Sequence, residues 1–251
     1  PALTRILLSR GITPEQMPNF INGGVSLIRP SAALPAVTEA VARIREALAK
    51  GMAITIVGDY DVDGITASVL LYEVLNELGA KAEIIIPDRR RDGYGITVEI
   101  VERIANGSSD NSRLIITVDN GSNAREAIAR AFELGLEVIV TDHHAVIDPP
   151  ESVVMVNPNN PRRPYVFKDL SGVGVAWKIA RELLDSVGHP QKAWPYLDLV
   201  ALGTIADVSP LIDENRALVK LGLQQLSQQC RPGLKELIKL QLAHRLNQQD
   251  A

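Results

Sequence analysis

Three aspartates of this chain, Asp59, Asp119 and Asp142, each stand where a run of aliphatic residues ends. Asp59 opens the cluster Gly58-Asp59-Tyr60-Asp61-Val62-Asp63-Gly64, and Asp142 opens Asp142-His143-His144. Carboxylates gathered at one place repel one another, so such a set asks for a cationic partner. A divalent metal is the obvious candidate. An aspartate after a strand often caps the next helix or makes a turn, and for one residue alone that explanation suffices. Three strand-end aspartates, with Asp61 and Asp63 beside the first, favour metal.

Asp-x-Asp-x-Asp-Gly also opens an EF-hand calcium loop. The twelfth position counted from Asp59 is Leu70, not a bidentate glutamate, and the preceding segment reads as a strand, so the calcium reading fails. His143 and His144 add imidazole nitrogen, which favours manganese, zinc or iron over magnesium alone. Asp142 could accept a hydrogen bond from a ligand imidazole and fix its tautomer. No strand-turn-helix serine elbow supports a Ser/His/Asp triad, and Walker loops and dinucleotide fingerprints are absent.

The elements that must position these groups follow from hydrophobic period. Ala53–Val57, Ala82–Ile86, Leu114–Val118, Glu137–Thr141 and Val153–Val156 read as strands apolar on both faces, as in a helix-covered parallel sheet. Helical period spans Ile65–Leu78, Thr97–Ala105 and Ala124–Leu134, the first and last of these stopping at Gly79 and Gly135. The expected fold is α/β: a five-stranded, mainly parallel sheet with helices on both faces, flanked by helical segments. The stretch from His143 to Ser152 is too short for a full crossover helix. Pro35–Lys50 precedes the sheet; Gly174–Val187, Trp194–Ile205, Asn215–Gln229 and Gly233–Leu246 follow it. The expected division is a helical extension over 1–50, a catalytic domain over 51–210 and a helical segment over 211–251. In such a sheet, sites form at the carboxyl ends of the strands, where Asp59, Asp119, Asp142 and Asn157 would converge.

Two further stretches bear on substrate. Ser171-Gly172-Val173-Gly174 opens a helix whose backbone N–H groups could bind a phosphate oxygen; a serine N-cap with tight helix packing explains the same spacing equally well. Arg89-Arg90-Arg91, followed by Asp92-Gly93-Tyr94-Gly95, lies on the same expected edge. Arg89 and Arg91 could meet a phosphate backbone while Tyr94 offers a stacking surface. Pro158–Pro164 reads as a loop at that edge.

At 251 residues, 46% apolar and 22% charged, the chain is ordinary for a globular protein. A net charge of −4 argues mildly against a general nucleic-acid surface, but two divalent cations would offset it. One cysteine, Cys230, excludes a disulfide framework or a Cys-rich zinc site. No apolar stretch or leader pattern suggests a membrane or secretory route, so the expected compartment is the cytosol. A first residue of Pro1 rather than methionine suggests an excised piece.

In order along the chain, Gly58–Gly64 (GDYDVDG), Asp92–Gly95 (DGYG), Thr117–Gly121 (TVDNG), Thr141–His144 (TDHH), Asn157–Asn159 (NPN), Leu170–Ala176 (LSGVGVA), Leu202–Leu211 (LGTIADVSPL) and Glu214–Val219 (ENRALV) resemble the blocks of the DHH phosphoesterase superfamily. Their spelling is that of its bacterial single-strand-specific exonucleases. The resemblance implies a site for two ions, Mn2+ with Mg2+ as the alternative. One would be held by Asp59, Asp61 and Asp119, the other by Asp63, Asp119, His143 and Asp207, with Asp119 bridging. It implies that His144 meets the scissile phosphate or a water on the metal, with Asp142 in support. It further implies 5′-to-3′ removal of mononucleotides from single-stranded DNA in repair and recombination, with a helicase or a single-strand-binding protein as candidate partners.

Oligoribonucleases, cyclic-dinucleotide phosphodiesterases and pyrophosphatases of the superfamily tend to carry a histidine two residues before an Asn-Pro-Asp-Gly-Asp stretch, whereas this chain reads Val57-Gly58-Asp59-Tyr60-Asp61. An inactive replication scaffold would be expected to have lost carboxylates that are all present here. The glycine-rich GGHxxAAG motif of the family's second domain has no match, so the chain is expected to be the catalytic half.

Overall fold

The structure, a computed structural model, describes residues 2–107, 113–150, 152–228 and 230–249. Aliphatic strands without polar interruption are dry on both faces and need helices on each side. The chain supplies them in this order: α1 (Ala2–Ser9), α2 (Met17–Asn22), α3 (Val37–Ala49), β1 (Ala53–Val57), α4 (Val62–Glu77), β2 (Lys81–Ile85), α5 (Val98–Asn106), β3 (Arg113–Val118), α6 (Arg125–Glu133), β4 (Glu137–Thr141), β5 (Val154–Val156), α7 (Gly172–Asp185), α8 (Leu197–Ala206), α9 (Asp213–Gln228) and α10 (Pro232–Gln249). A 3₁₀ segment, Pro190–Tyr196, fills the first part of the stretch read as one helix from Trp194, because Pro195 cannot donate in a helix interior. Gln229, the expected last residue of α9, lies outside the described residues.

All four strand pairings are parallel, in the order β2-β1-β3-β4-β5. Val57 aligns with both Ile85 and Thr117, and Val118 with Thr141, so the carboxyl ends form one level edge. From β1 the chain runs to β2 on one side and later to β3 on the other. The topological switch point therefore falls between β1 and β3, the place where such sheets bind ligands.

Side-chain alternation divides the core. Ile54, Ile56, Leu114, Ile116, Val118 and Ile139 face α3, α4 and α7, whose Ile44, Leu71 and Val175 are fully buried with them. Val57, Ile115, Val138 and Val140 face α5 and α6, meeting Ile100, Ile104 and Ile128. Each such side chain taken from water contributes roughly 1.5–3 kcal/mol, so both layers hold the edge rigid. α3 and α9 share this packing: Val37, Val41, Ala217 and Leu218 belong to the first core.

One strand departs from expectation. β2 begins one residue early, at Lys81, and is not buried on both faces: Lys81 and Glu83 are exposed. It lies at the sheet edge, where charged side chains are tolerated and discourage pairing with another chain. β4 joins β5 through an irregular loop, and their register, Ile139 on Val154, is parallel.

Candidate metal centre

The first acidic cluster is not a loop. Asp61 is the N-cap of α4, its Oδ1 accepting the Gly64 amide at 2.8 Å, so the helix starts three residues before the expected Ile65. This turn separates the carboxylates: Asp59 is buried at the end of β1, Asp61 is exposed, and Asp63 is buried in the first helical turn. A Cβ at Gly64 would lie 2.6 Å from the Asp59 amide, so only glycine lets the helix start this close to the strand.

Asp63 points at the start of α7. Its Oδ2 accepts the Gly172 amide at 2.7 Å and its Oδ1 the Val173 amide at 2.9 Å. The positive end of a helix favours such a carboxylate. Ser171 caps α7, accepting the Gly174 amide at 3.2 Å, and its hydroxyl pairs with Thr204 at 2.7 Å. Ser171, Gly172 and Gly174, considered above for phosphate contact, are thus wholly buried and committed to the cap, to Asp63 and to packing. Of the two explanations of that spacing, the N-cap with tight packing is the one the hydrogen bonds display. Two glycines open the space around the acids. A Cβ at Gly172 would lie 2.5 Å from Asp119 Oδ1, and one at Gly203 would lie 2.7 Å from Asp63 Oδ1.

Asp119 follows β3 with a left-handed backbone, φ 63°. Aspartate tolerates that region better than most residues, yet it is sparsely populated and costs about 1 kcal/mol or more. Among the described residues, neither of its buried carboxylate oxygens has a hydrogen-bond partner, nor has the buried Nε2 of His143. His143 Nε2 stands 3.1 Å from Asp119 Oδ1 and 3.9 Å from Asp63 Oδ2 without forming a hydrogen bond to either. Three buried ligand atoms, two on Asp119 and one on His143, depart from the rule that buried polar groups are paired, and a shared cation removes the departure.

Asp142 is satisfied instead. Its Oδ1 accepts the His143 and His144 amides at 2.7 and 3.1 Å and His144 Nδ1 at 2.7 Å; its Oδ2 accepts the Ser122 amide at 3.0 Å. His144 is left with Nε2 toward the crevice mouth, 3.4 Å from the Tyr94 hydroxyl. Asp207 caps the end of α8, and the Ser209 hydroxyl donates to its Oδ2. Val208 between them has φ 61°, strained for a β-branched residue, which turns Ser209 back toward Asp207.

The electrostatics agree with this division. Burial, then repulsion from Asp61 and Asp142, pushes the Asp119 carboxyl up to about 9. Burial and the neighbouring Asp119 push Asp63 up to about 8, and burial also raises Asp59. Burial works against the Asp142 carboxylate too, but its bonds from His144 hold it below the usual range. The same bond raises His144. Without a cation, Asp63 and Asp119 hold protons at neutral pH. Donor atoms lie within 4.8 Å of one another in three sets: Asp59, Asp61, Asp119; Asp63, His143, Asp207; and Asp119, His143, His144.

At the rim, Tyr94 meets Tyr60 edge-on at 6.5 Å and His144 at 6.1 Å, and Arg89 lies 5.4 Å over the Tyr60 ring. Arg91 is not free for substrate in this arrangement: its guanidinium holds both oxygens of Asp92 at 2.9 Å. The sequence places Asn157 at this edge and Asn159 in the same block but assigns neither a role; the structure shows that they fix the histidine loop. Asn159 Nδ2 donates to the His143 carbonyl at 2.7 Å, and Asn157 Nδ2 to the His144 carbonyl at 3.0 Å. The signal available was the NPN block itself, whose amides are suited to holding irregular backbone.

The chain matches the DHH family, N-terminal domain, over residues 53–204, and it belongs to that family. It is 40% identical over 242 residues to the single-stranded-DNA-specific exonuclease RecJ of Bacillus subtilis, covering 96% of this chain and 30% of that protein. With the RecJ of Escherichia coli it shares 35% identity over 96% of this chain and 43% of the relative. Among solved structures, an exonuclease RecJ bound to manganese superposes with a TM-score of 0.70 at 39% identity, over 79% of this chain and 49% of that one. RecJ from Thermus thermophilus in complex with Mn2+ gives 0.66 at 38% identity, covering 79% of this chain and 28% of that one. The chain spans less than half the length of these relatives.

Proposed function

We propose that this chain carries the catalytic half of a metal-dependent hydrolase that removes nucleotides from single-stranded DNA in the 5′-to-3′ direction, in DNA repair and recombination. The observation that carries the reading is the set of orphaned buried donors on Asp119 and His143 at the switch point. Asp59, Asp61 and Asp119 would hold one Mn2+; Asp63, Asp119, His143 and Asp207 would hold the other; Mg2+ is the alternative ion. When bound, such a pair would supply Lewis-acid activation of water and charge stabilisation for phosphodiester hydrolysis. Around it, the residues of this chain divide the work. Asp142 fixes the tautomer and direction of His144, whose Nε2 is presented to the phosphate and can hold or yield a proton there. Asp63, held by the α7 amides, and Asp207, held by Ser209, keep the ligand oxygens aimed. Tyr94, Tyr60 and Arg89 form a stacking and cationic ledge for the strand.

The names and manganese-bound structures of the relatives support this assignment over small-molecule phosphodiesterases of the same superfamily. The catalytic body includes α3 and α9, which share its core, in addition to residues 51–210. A helicase or single-strand-binding protein as partner, and work in the cytoplasm, fit that role. Among the described residues no helix is long and apolar enough to cross a membrane. Digestion of 5′- and 3′-end-labelled single strands with Mn2+ tests the reading. Mononucleotide release from the 5′ label first is expected. Hydrolysis of dinucleotides or pyrophosphate only, with intact DNA, would overturn it.

A further inference from the structure

Asn120 sits beside the strained Asp119, 1% exposed, and uses its whole carboxamide. Its Nδ2 donates to the Val57 carbonyl at 3.0 Å and to the Val118 carbonyl at 2.9 Å, while its Oδ1 accepts the Ile96 amide at 3.1 Å. These partners are the last residue of β1, the residue that precedes Asp119, and the backbone two residues after Tyr94. One side chain therefore spans the switch point and ties three segments: that leading to Asp59, that carrying Asp119, and that presenting Tyr94. Thr117 Oγ1 holds the Asn120 carbonyl at 2.8 Å, closing the turn from the other side. Gly95, at φ 62°, packs so near that a Cβ there would lie 2.9 Å from Asn120 Cβ.

We propose that Asn120 is a positioning residue that holds Asp119 in its left-handed conformation and couples the substrate ledge at Tyr94 to the bridging carboxylate. The chemistry is specific to an amide. Two carbonyls require two N–H donors from one planar group, and an amide N–H requires an acceptor on the same group. Aspartate has the shape but no donors, and its charge would face two carbonyl oxygens. With the clamp gone, Asp119 can relax toward ordinary φ, which turns its carboxylate from the point shared with His143.

The inference rests on the two-metal reading, and the experiment separates the two. Mn2+ binding by titration calorimetry, thermal melting without metal, and kcat and KM on single-stranded DNA are measured for the native chain, Asn120→Asp and Gly95→Ala. The native chain is expected to take up two ions. Asn120→Asp is expected to fold but to bind Mn2+ about tenfold or more weakly, because the carboxylate it displaces is shared by both sites. Its kcat is expected to fall about a hundredfold while its melting temperature at permissive conditions still shows a cooperative transition. Gly95→Ala, which pushes on the clamp from outside, is expected to shift Mn2+ binding in the same direction by less. A native chain that takes up no Mn2+ would sink the metal reading itself. A native chain with two ions beside an Asn120→Asp variant with unchanged Mn2+ binding and kcat, whatever its melting temperature, would overturn the positioning role. If Asn120→Asp does not fold, unchanged Mn2+ binding by Gly95→Ala has the same force.

Discussion

At the scale of single residues, the site separates carboxylates by whether protein donors satisfy them. Asp142 has four such donors and stays ionised; Asp119 has none and is driven toward its neutral form. The folded-state pKa of Asp119, about 9, and that of Asp63, about 8, are raised above their unfolded values. A raised pKa means that the native state binds the extra proton, so its stabilising effect is full below about pH 4 and is lost as pH rises toward 8–9. The metal-free chain should therefore melt at falling temperature between pH 5 and 8, and Asp119→Asn should flatten that slope while abolishing hydrolysis. A melting temperature that climbs over this range in both proteins would contradict the account. Excess Mn2+ should reverse the trend, since it binds the deprotonated acids and competes with protons. At the same scale, Asp142→Asn removes the carboxylate that raises His144. The His144 ring should then titrate lower in NMR of the metal-free protein, with activity reduced about 10–100-fold; an unmoved titration would detach Asp142 from that role.

At the scale of elements, the site is made where helices begin or end against strand tips. α4 starts on Asp61, α7 starts on Ser171 with its amides on Asp63, and α8 ends on Asp207. These junctions tolerate no extra atom at Gly172 or Gly203. Gly172→Ala should leave the α/β fold intact by circular dichroism yet weaken Mn2+ binding about tenfold or more, because its methyl group meets Asp119 rather than the core. Normal metal affinity in that variant would show that the approach of α7 to Asp119 is not what the site requires. Elements were largely legible in the sequence, because strands such as Ala53–Val57 and Glu137–Thr141 carry uninterrupted aliphatic runs. The edge strand β2 looks buried from sequence because Ala82 and Ile84–Ile86 outweigh Glu83, and burial depends on neighbours that local pattern does not contain. Hydrophobic period places the start of α4 late, at Ile65, whereas a capping side chain, Asp61, decides where the helix begins.

For the whole molecule, parallel order 2-1-3-4-5 brings Asp59, Asp119 and Asp142 to one level edge although they are far apart in sequence. That convergence was legible once the strands were, and the ordered blocks supplied Asp207, which spacing alone would leave as a helix-end residue. What the sequence did not disclose is the supporting network. Asn157, Asn159 and Asn120 act through hydrogen bonds to backbone groups of other segments, partners that sequence spacing does not specify even where a block such as NPN is visible. Ser209 acts on Asp207, two residues before it, through a turn that the spacing alone does not reveal. The sheet's two faces are covered by α3, α4 and α7 on one side and α5 and α6 on the other, so the ligands stand at the edge of a packed sheet. The measurement that bears most directly on the two-metal assignment is anomalous diffraction at the manganese edge from crystals grown with Mn2+. Two peaks are expected, one among Asp59, Asp61 and Asp119 and one among Asp63, His143 and Asp207, with Asp119 contacting both. A single peak, or peaks that do not touch Asp119, would contradict it.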